Sequence, residues 1–206
     1  MCSWFAMAEH LQLTVNMRVE DANWASFVSM IGSGSSVIFP DHCICATEDD
    51  LINSVWPNAE FQVPDLRSIL VMTREDCRRI NSKILDKFIG VPDVGLSLDS
   101  ALDCEASEYP VEFVNSCSIA GMPDHTLILK KGASYMIMHN TSAVLFNGTR
   151  VIYHRRVGKC LEVEIITGVH KGEFHYVPRL ILTARSTMLP FTLRRVQFPM
   201  VACFAM

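Results

Sequence analysis

The spacing of the apolar residues changes near residue 125, and this change constrains the fold more than any other feature of the sequence. Before it, apolar residues recur at helical spacing, as in residues 24–31. After it, apolar and polar residues alternate, as in residues 160–165, which is typical of half-buried strands. Turn signals such as Asn147-Gly148 separate these runs. The sequence therefore predicts helices in the first part and a small β-barrel in the second.

The first part also contains half of an α/β unit. The apolar run at residues 69–72 is typical of a buried parallel strand, and Thr73 can cap a helix whose apolar stripe continues to Phe88. Another helix is predicted after Thr47, which has an acidic residue three positions later. Residues 90–108 are rich in Pro, Gly, Ser and Asp, and we predict a long loop there. The predicted fold class is α/β, a partial parallel-sheet domain with an inserted small all-β barrel.

The formal net charge of −4 conceals an uneven distribution of charge along the chain. Residues 1–124 hold 7 Lys and Arg against 19 Asp and Glu, a net charge of −12. Residues 125–206 hold 11 Lys and Arg against 3 Asp and Glu, a net charge of +8. A basic surface is the natural candidate for contact with phosphates. A solvated basic face without a partner has the same composition, so the charge alone leaves both interpretations open.

Composition narrows the class of protein. Half of the residues are hydrophobic and 19% are charged, which is typical of a globular chain. The apolar runs are too short to span a bilayer and no signal-peptide pattern opens the sequence, so we expect an intracellular protein without membrane contact. The nucleus is the expected compartment and the mitochondrion the alternative. The eight cysteines are then expected to be reduced, and the spacing of Cys43 and Cys45 is not a usual zinc spacing.

A series of short motifs in the second half carries a family resemblance. The motifs are, in order, YPVEFVNS (109–116), GMP (121–123), LILKKGA (127–133), Asn140, FNGTR (146–150), EIITG (164–168), PR (178–179), LPF (189–191), RRVQFP (194–199) and FAM (204–206). In this order and spacing they resemble the C-terminal half of Pif-family DNA helicases, most of all the group associated with Helitron transposons. About half of the chain carries this resemblance.

The first half resembles the same family more loosely. The motif LTVNMR at residues 13–18 is similar to the one that opens the second RecA-like domain, where the arginine reaches the γ-phosphate of ATP. That arginine is Arg18 here. Residues 69–81 resemble the strand, turn and helix that follow, and the turn contacts single-stranded DNA in the family. Here the turn is Met72-Thr73-Arg74 where the family tends to have Pro-Thr-Asn, so only Thr73 carries over.

The resemblance implies an ATP-driven helicase that unwinds DNA in the 5′-to-3′ direction and uses Mg²⁺. Two RecA-like domains clamp ATP between them, and a small SH3-like barrel is inserted into the second. On this basis residues 1–124 correspond to part of the second RecA-like domain, residues 125–195 to the barrel, and residues 196–206 to a returning strand that is cut short. The implied partners are single-stranded DNA and a first RecA-like domain in a longer product.

The sequence lacks the motif that would make the chain a catalyst by itself. The phosphate-binding pattern G-x-x-x-x-G-K-[ST] does not occur in its 206 residues, and the acidic pair that holds Mg²⁺ in these motors has no counterpart. Loss of a single charge-stabilising group costs such reactions about 10²- to 10⁵-fold in rate. We therefore expect no catalytic or metal-binding residues, and neither ATP hydrolysis nor DNA unwinding by this chain alone.

Five residues are the candidates for ligand contact. Arg18 is the candidate for the nucleotide, because of its position in the resemblance. Thr73 is a candidate for a DNA phosphate, although its capping role needs no DNA. Lys130, Lys131 and Arg150 flank turns of the predicted barrel, where a groove that follows a DNA backbone needs cations. Solvated side chains are the competing interpretation for these three.

Two tyrosines of the predicted strands allow a further contact with DNA. Tyr135 and Tyr153 can stack on bases. Alternating aromatic residues in strands are more often core or cross-strand packing residues, so packing is the competing interpretation.

Two functions from different classes remain open at this point. In the first, the chain is a fragment of a Pif-like ATP-dependent DNA helicase, through a truncated gene model, a decayed transposon copy or one exon of a larger product. In the second, it is a non-catalytic module that binds single-stranded DNA through its basic half. A third and weaker alternative is a remnant that misfolds, because the apolar run at residues 200–206 ends without a covering helix.

Overall fold

The computed structural model describes residues 19, 21–39, 41, 44–57, 67–105 and 108–206. Contacts divide the chain into two units, Met1–Ala46 and Thr47–Met206. In the first unit, helix α1 (Ala22–Gly32) begins at Asp21, whose carboxylate accepts a hydrogen bond from the backbone N–H of Asn23 at 2.8 Å. The predicted helix is confirmed, although none of its residues is buried.

The described residues of the second unit form three helices, α2 (Glu48–Val55), α3 (Arg74–Asp86) and α4 (Val111–Ser116). Thr47 caps α2 and Thr73 caps α3, each by accepting a hydrogen bond of 3.1 Å from the backbone N–H three residues later. Both predicted caps are therefore confirmed. Lys83 of α3 forms an ion pair of 2.8 Å with Glu48 of α2, which joins the two helices at the surface. The longest of the described helices has 13 residues, and none of them has the length and apolarity that crossing a bilayer requires.

The same unit contains ten strands within the described ranges. They are β1 (Asp93–Leu96), β2 (Leu98–Leu102), β3 (Thr126–Leu129), β4 (Ser134–Ile137), β5 (Arg150–Val157), β6 (Cys160–Ile165), β7 (Phe174–Pro178), β8 (Leu180–Arg185), β9 (Thr192–Gln197) and β10 (Met200–Ala202). The strands pair antiparallel in three sheets, with the orders β10-β4-β5-β6-β7, β2-β9-β8 and β1-β3. The sheets therefore join strands from both sides of residue 125, because β1 pairs with β3 and β2 pairs with β9.

The predicted long loop at residues 90–108 is wrong, because β1 and β2 lie within it. Their pattern is the reverse of an ordinary half-buried strand. The apolar side chains of Val94, Leu96 and Leu98 are exposed, whereas Gly95 and Ser97 face inward. A Cβ atom on Gly95 would lie 3.4 Å from the ring of Phe198, so a small residue fits this position. Small and polar residues on the buried side gave the segment the composition of a loop.

The predicted buried strand at residues 69–72 is present only in part. Ile69 forms a parallel bridge with Ala205 and is buried, but Leu70 and Met72 are exposed. The backbone N–H of Ile69 donates to the carbonyl of Phe204 at 2.9 Å, and that of Met206 donates back to Ile69 at 2.9 Å. The apolar run at residues 200–206 is therefore divided between antiparallel β10 and this short parallel pairing.

Two hydrophobic cores hold the second unit together. The larger core lies between α2, α3 and the inward faces of the strands, and Ile84, Leu129 and Tyr135 are completely buried in it. The rings of Trp56 and Phe204 meet edge to face there, with centroids 5.2 Å apart. The smaller core lies between α4 and the sheet β2-β9-β8. These cores fix the positions of the turns and sheet faces on which the candidate residues lie.

Candidate nucleic-acid interface

Of the two candidates in the first half of the chain, Arg18 and Thr73, the structure describes only Thr73. Arg18 lies outside the described residues. Thr73 is exposed at the start of α3, and its hydroxyl donates to a carboxylate oxygen of Asp76 at 2.6 Å while it accepts the Asp76 N–H. These bonds, and a further one from Arg79, hold the pKa of Asp76 below its usual value. The hydroxyl is thus engaged in capping beside a negative charge, and its contact with DNA stays a prediction.

Lys130 and Lys131 lie in the turn between β3 and β4. The ammonium group of Lys130 donates to the backbone carbonyls of Phe88 and Asp86 at 2.9 and 3.4 Å, just beyond the C-terminal end of α3. Lys130 thereby satisfies carbonyl groups that the helix leaves open, which is a favourable place for a cation. The side chain of Lys131 is exposed. Of the two, Lys131 is the one available to a phosphate.

Arg150 lies at the start of β5 and is buried, with 7% of its surface exposed. Its guanidinium donates to the backbone carbonyl of Arg67 at 3.0 Å, and it also interacts with the thiol of Cys203. The side chain therefore supports the segment before Ile69 from below the surface. In this arrangement it does not present its charge to a ligand, and the predicted DNA contact of Arg150 stays a prediction.

The structure does not bring the four described candidates together. Thr73 and Lys130 lie at opposite ends of the 13-residue helix α3, which separates them by about 20 Å. The turn with Lys131 is level with Tyr153, because the N–H of Gly132 donates to the Tyr153 carbonyl at 2.8 Å. Arg150 lies three residues earlier on β5, roughly 10 Å away. The candidates therefore mark several places on the second unit instead of one groove.

Residues 125–206 present fewer free cations at the surface than their sequence suggests. Arg150 and Arg195 are buried, and Arg156 is paired with Asp93 at 2.6 Å. Within the described ranges, five cationic side chains of this part have neither an ion-pair partner nor a side-chain hydrogen bond to the protein: Lys131, Lys159, Lys171, Arg185 and Arg194. Three of them lie in turns between strands, and the other two lie on β8 and β9. These residues, more than the net charge, are the surface that a phosphate backbone can meet.

Tyr135 and Tyr153 pack in the core, so their packing interpretation is confirmed. Both are buried, and their rings meet edge to face with centroids 6.4 Å apart. The Tyr135 hydroxyl donates to the carbonyl of Ile128 at 3.0 Å and accepts the N–H of Lys130 at 2.9 Å. Burial raises the pKa of both phenols. Neither ring has a face free for a base.

Three backbone carbonyls of β1 accept hydrogen bonds from side chains that lie later in the sequence. Arg156 donates to the carbonyl of Val94 at 3.3 Å, Gln197 to that of Gly95 at 2.8 Å, and Arg179 to that of Leu96 at 2.5 Å. The guanidinium groups of Arg156 and Arg179 also lie over the ring of Phe198, 5.4 and 4.8 Å from its centre. This arrangement fixes β1 against the barrel. It also engages Arg156 and Arg179, two cations of residues 125–206, in contacts within the protein.

Asp93 of β1 forms an ion pair with Arg156 of β5, and we expect this pair to make the stability of the fold depend on pH. The hydrogen bonds from Arg156, with a smaller contribution from the Tyr153 hydroxyl, hold the pKa of the Asp93 carboxyl below its ordinary value of 3.8. A carboxyl with a lowered pKa in the folded state stabilises the fold above its unfolded pKa, and this contribution is lost as the pH falls through the folded value. Asp93→Asn is expected to cost about 1–2 kcal/mol at pH 7 and to flatten the fall in stability below pH 4.

Urea unfolding at pH 7 and at pH 3 measures this difference. Glu105→Gln, at an exposed position outside the helices and strands, is the control, and its loss of stability on acidification is expected to match that of the unmodified chain. An equal acid dependence in the Asp93→Asn variant would show that this carboxyl does not link stability to pH.

A buried ion pair joins β2 to β9. The guanidinium of Arg195 donates twice to the carboxylate of Asp99, at 3.0 and 2.6 Å, and neither side chain is exposed by more than 1%. Ser97 donates to the same carboxylate at 2.6 Å. Arg195 also donates to three backbone carbonyls, those of Asn115, Cys117 and Pro123, at 2.9 to 3.2 Å. The buried guanidinium of Arg195 therefore holds the loop after α4. From sequence alone a charged residue is expected at the surface.

The outer face of β5, β6 and β7 contains aromatic residues that sequence reasoning did not single out as site residues. Phe174 and Tyr176 are 57% and 56% exposed and lie two residues apart on β7. His154 and Arg155 of β5 lie on the same side of the sheet, in ion pairs of 3.0 and 2.7 Å with Glu164 and Glu162. Two aromatic residues in alternation on a strand that ends in proline are the signal that could have identified this face.

Comparison with known proteins gives a family match inside the second unit. Residues 112–154 match the family described as DNA helicase Pif1, 2B domain. This stretch contains α4, β3, β4 and the first half of β5. No curated protein sequence is significantly similar to the chain.

Solved helicase structures share the fold. Pif1 helicase from Candida albicans matches with a TM-score of 0.56 and 18% sequence identity, over 88% of this chain and 44% of that chain. Bacteroides Pif1 in complex with ADP-AlF3 and ssDNA matches with a TM-score of 0.55 and 16% identity, over 95% and 41%. Bacteroides Pif1 bound to ssDNA matches with a TM-score of 0.51 and 16% identity, over 92% and 40%. The chain spans less than half the length of these helicases.

The predicted fold class is confirmed by these matches. The described residues combine helices, one parallel bridge and antiparallel strands in the arrangement of part of a helicase domain with a small barrel-like region. The boundaries at residues 125 and 195 stay predictions. Residues 112–154 thus resemble the Pif1 2B domain, and the chain shares its fold with part of the Pif1 helicases.

Proposed function

We propose that this chain supplies the single-stranded DNA-binding part of an ATP-dependent helicase that unwinds DNA in the 5′-to-3′ direction. The match of residues 112–154 to the Pif1 2B domain is the observation that carries the proposal. The likeness of the fold to Bacteroides Pif1 bound to ssDNA supports it, because it extends over 92% of the chain. In this proposal the second unit binds the strand, and a first RecA-like domain supplies the nucleotide site.

The contact with the DNA backbone is assigned to the cations that the fold leaves free. Lys131 lies in the β3–β4 turn and Lys159 in the β5–β6 turn. The first turn is level with Tyr153 in the middle of β5, and the second follows Val157, roughly 13 Å further along the strand. Both side chains are exposed and have no ion-pair partner within the described ranges. Two free cations spaced along β5 can neutralise phosphates of one DNA strand.

ATP and Mg²⁺ enter the proposal only through the longer enzyme. Arg18 is the residue assigned to the γ-phosphate of ATP held by the first RecA-like domain, by its place in the family resemblance. The 206-residue chain has no phosphate-binding motif, so by itself it is proposed neither to hydrolyse ATP nor to unwind DNA. When the chain is combined with a first RecA-like domain, Arg18 would supply positive charge where negative charge develops on the γ-phosphate.

A second candidate function is a non-catalytic module that binds single-stranded DNA without a motor. The net charge of +8 in residues 125–206 favours it, because binding of this kind requires a basic surface and no nucleotide. Both functions require the contact with DNA, but only the helicase requires ATP. Adding a separately produced first RecA-like domain should yield DNA-stimulated phosphate release only for the helicase.

The salt dependence of DNA binding tests the contact that both functions require. Binding of a labelled single strand, followed by fluorescence anisotropy, is expected to weaken with salt at a log–log slope of about −0.7 for each phosphate neutralised. The double variant Lys131→Gln/Lys159→Gln is expected to bind at least about 10-fold more weakly at low salt and to show a slope shallower by about 1.4.

The matched control is Lys87→Gln at the end of α3, a lysine that donates to Asn53 at 2.6 Å. This variant is expected to bind as the unmodified chain does, with the same slope. If the unmodified chain showed no binding that depends on salt, the proposed function would be wrong. If Lys87→Gln and the double variant weakened binding equally, the assignment to the two turns would be wrong.

A further inference from the structure

The outer face of β5, β6 and β7 presents two aromatic side chains that the cores do not use. Phe174 and Tyr176 are more than half exposed. Residues two apart on a strand point to the same side of the sheet and lie about 6.6 Å apart. Each ring can therefore meet its own planar group on an extended ligand. Within the described part of the chain β7 pairs with β6 alone, so this face lies at the open edge of the five-stranded sheet.

Both rings are held in place by neighbouring strands. The ring of Phe174 lies against the imidazole of His154, with centroids 5.0 Å apart, and His154 is itself 3.0 Å from Glu164. The hydroxyl of Tyr176 donates to one carboxylate oxygen of Glu162 at 3.1 Å. An exposed aromatic side chain that is already oriented loses little conformational freedom when a ligand stacks on it. The face is therefore organised for stacking before any ligand arrives.

The charges around the rings match the parts of a nucleotide. Lys159 and Lys171 lie in the turns at the two ends of β6, and within the described ranges neither has an ion-pair partner. Between them, Glu162 and Glu164 place carboxylate oxygens in the middle of the face. Carboxylates can accept hydrogen bonds from the amino groups of bases, and lysines can meet phosphates. The free cations thus lie at the two ends, with Glu173 near Lys171, and two acceptors lie in the middle.

We propose that this face is a base-stacking site for single-stranded nucleic acid, in which Phe174 and Tyr176 each stack on one unpaired base. The proposal rests on the proposed binding of single-stranded DNA and adds the part of the nucleotide that this face recognises. The nearby cations Arg155, Lys159 and Lys171 are balanced by Glu162, Glu164 and Glu173. The site therefore adds affinity through the bases, and this share of the affinity depends little on salt.

A protein strand added to the edge of β7 is the other occupant that an open sheet edge can take. The sequence of β7 favours bases over a strand. The strand has five residues and ends at Pro178, which has no backbone N–H to offer a partner, and Glu173 places a charge just before it. Short edges with proline and charge are protected against strand addition.

Removal of both rings tests the site directly. The variants are Phe174→Ala/Tyr176→Ala and Phe174→Leu/Tyr176→Leu, and the second keeps apolar volume at both positions while it removes the aromatic faces. The matched control is Phe146→Ala, which removes a ring that is 50% exposed in the loop between β4 and β5. Affinity is measured for a base-bearing single strand and for an abasic strand of the same length, each at low and high salt. A 2-aminopurine base in the first strand reports stacking through its fluorescence.

The unmodified chain and Phe146→Ala are expected to bind the base-bearing strand more tightly than the abasic one and to quench 2-aminopurine. Both double variants are expected to lose about 10-fold or more in affinity for the base-bearing strand, by the same factor at both salt concentrations. Their affinity for the abasic strand and their melting temperature should remain those of the unmodified chain, because both side chains lie at the surface.

Three results would overturn the stacking site. In the first, the double variants bind the base-bearing strand as the unmodified chain does, which leaves the proposed DNA binding intact. In the second, neither strand binds to the unmodified chain, which removes the proposed function as well. In the third, the double variants keep full DNA affinity and change the sedimentation of the chain from dimer to monomer, which makes the face a protein interface.

Discussion

Replacement of Arg195 with methionine is expected to lower the free energy of unfolding by about 3–5 kcal/mol. The change leaves the completely buried carboxylate of Asp99 without its arginine partner. It also leaves the carbonyls of Asn115, Cys117 and Pro123 without a donor. Unfolding in urea, followed by circular dichroism, measures the loss.

The neighbouring residue gives a matched control. Arg194 lies on the opposite side of β9 and is partly exposed, so Arg194→Met should change stability by less than about 0.5 kcal/mol. The double variant Arg195→Met/Asp99→Leu removes both charges and is expected to be more stable than Arg195→Met alone. If Arg194→Met and Arg195→Met cost the same, the buried pair does not stabilise the second unit.

Asn81→Leu is expected to cost about 2–4 kcal/mol, because the side chain of Asn81 makes three hydrogen bonds to the segment after β10. Its amide oxygen accepts the backbone N–H groups of Phe204 and Ala205 at 2.9 and 2.8 Å, and its amide nitrogen donates to the Ala205 carbonyl at 3.0 Å. Leucine has a similar volume but satisfies none of these three buried groups. The measurement is urea unfolding together with hydrogen exchange at Phe204 and Ala205.

Ser82→Ala is the control for this substitution, because Ser82 is the next residue of α3 and is exposed. Its effect is expected to stay within about 0.5 kcal/mol, and the exchange of the two amides should not change. Amides of Phe204 and Ala205 that exchanged equally slowly in the Asn81→Leu variant would contradict the anchoring role of Asn81.

The helices and the β-rich part could be predicted because their signals are local. A capping threonine and its acidic partner are three residues apart, as at Thr73 and Asp76, and the alternation in β6 is visible within six residues. Strands β1 and β2 could not be predicted in this way, because their exposed side is apolar and their buried side is polar. Their inward residues, such as Ser97 and Asp99, are explained only by Arg195, which lies about a hundred positions later in the sequence.

The candidate site was predictable to a smaller extent for a related reason. A basic residue next to a turn has the same local sequence whether it is solvated, buried or bound to a backbone carbonyl. Lys131 is exposed as expected, but Lys130 caps carbonyls after α3 and Arg150 supports the segment at Arg67 from below. The aromatic pair at Phe174 and Tyr176 became a candidate only when the paired strands showed which side is open.

The short parallel pairing between residues 69–71 and 204–206 has a consequence for the order of folding. Its partners are about 136 positions apart, and all ten strands lie between or within its two ends. Closing so long a loop before its interior is ordered carries a large entropic cost. We therefore expect the interior sheets to form first and to bring the two ends close enough to pair. In that order the helix pair α2 and α3 gains its full packing against Phe204 in the last step, and we expect this side of the second unit to open first in partial unfolding.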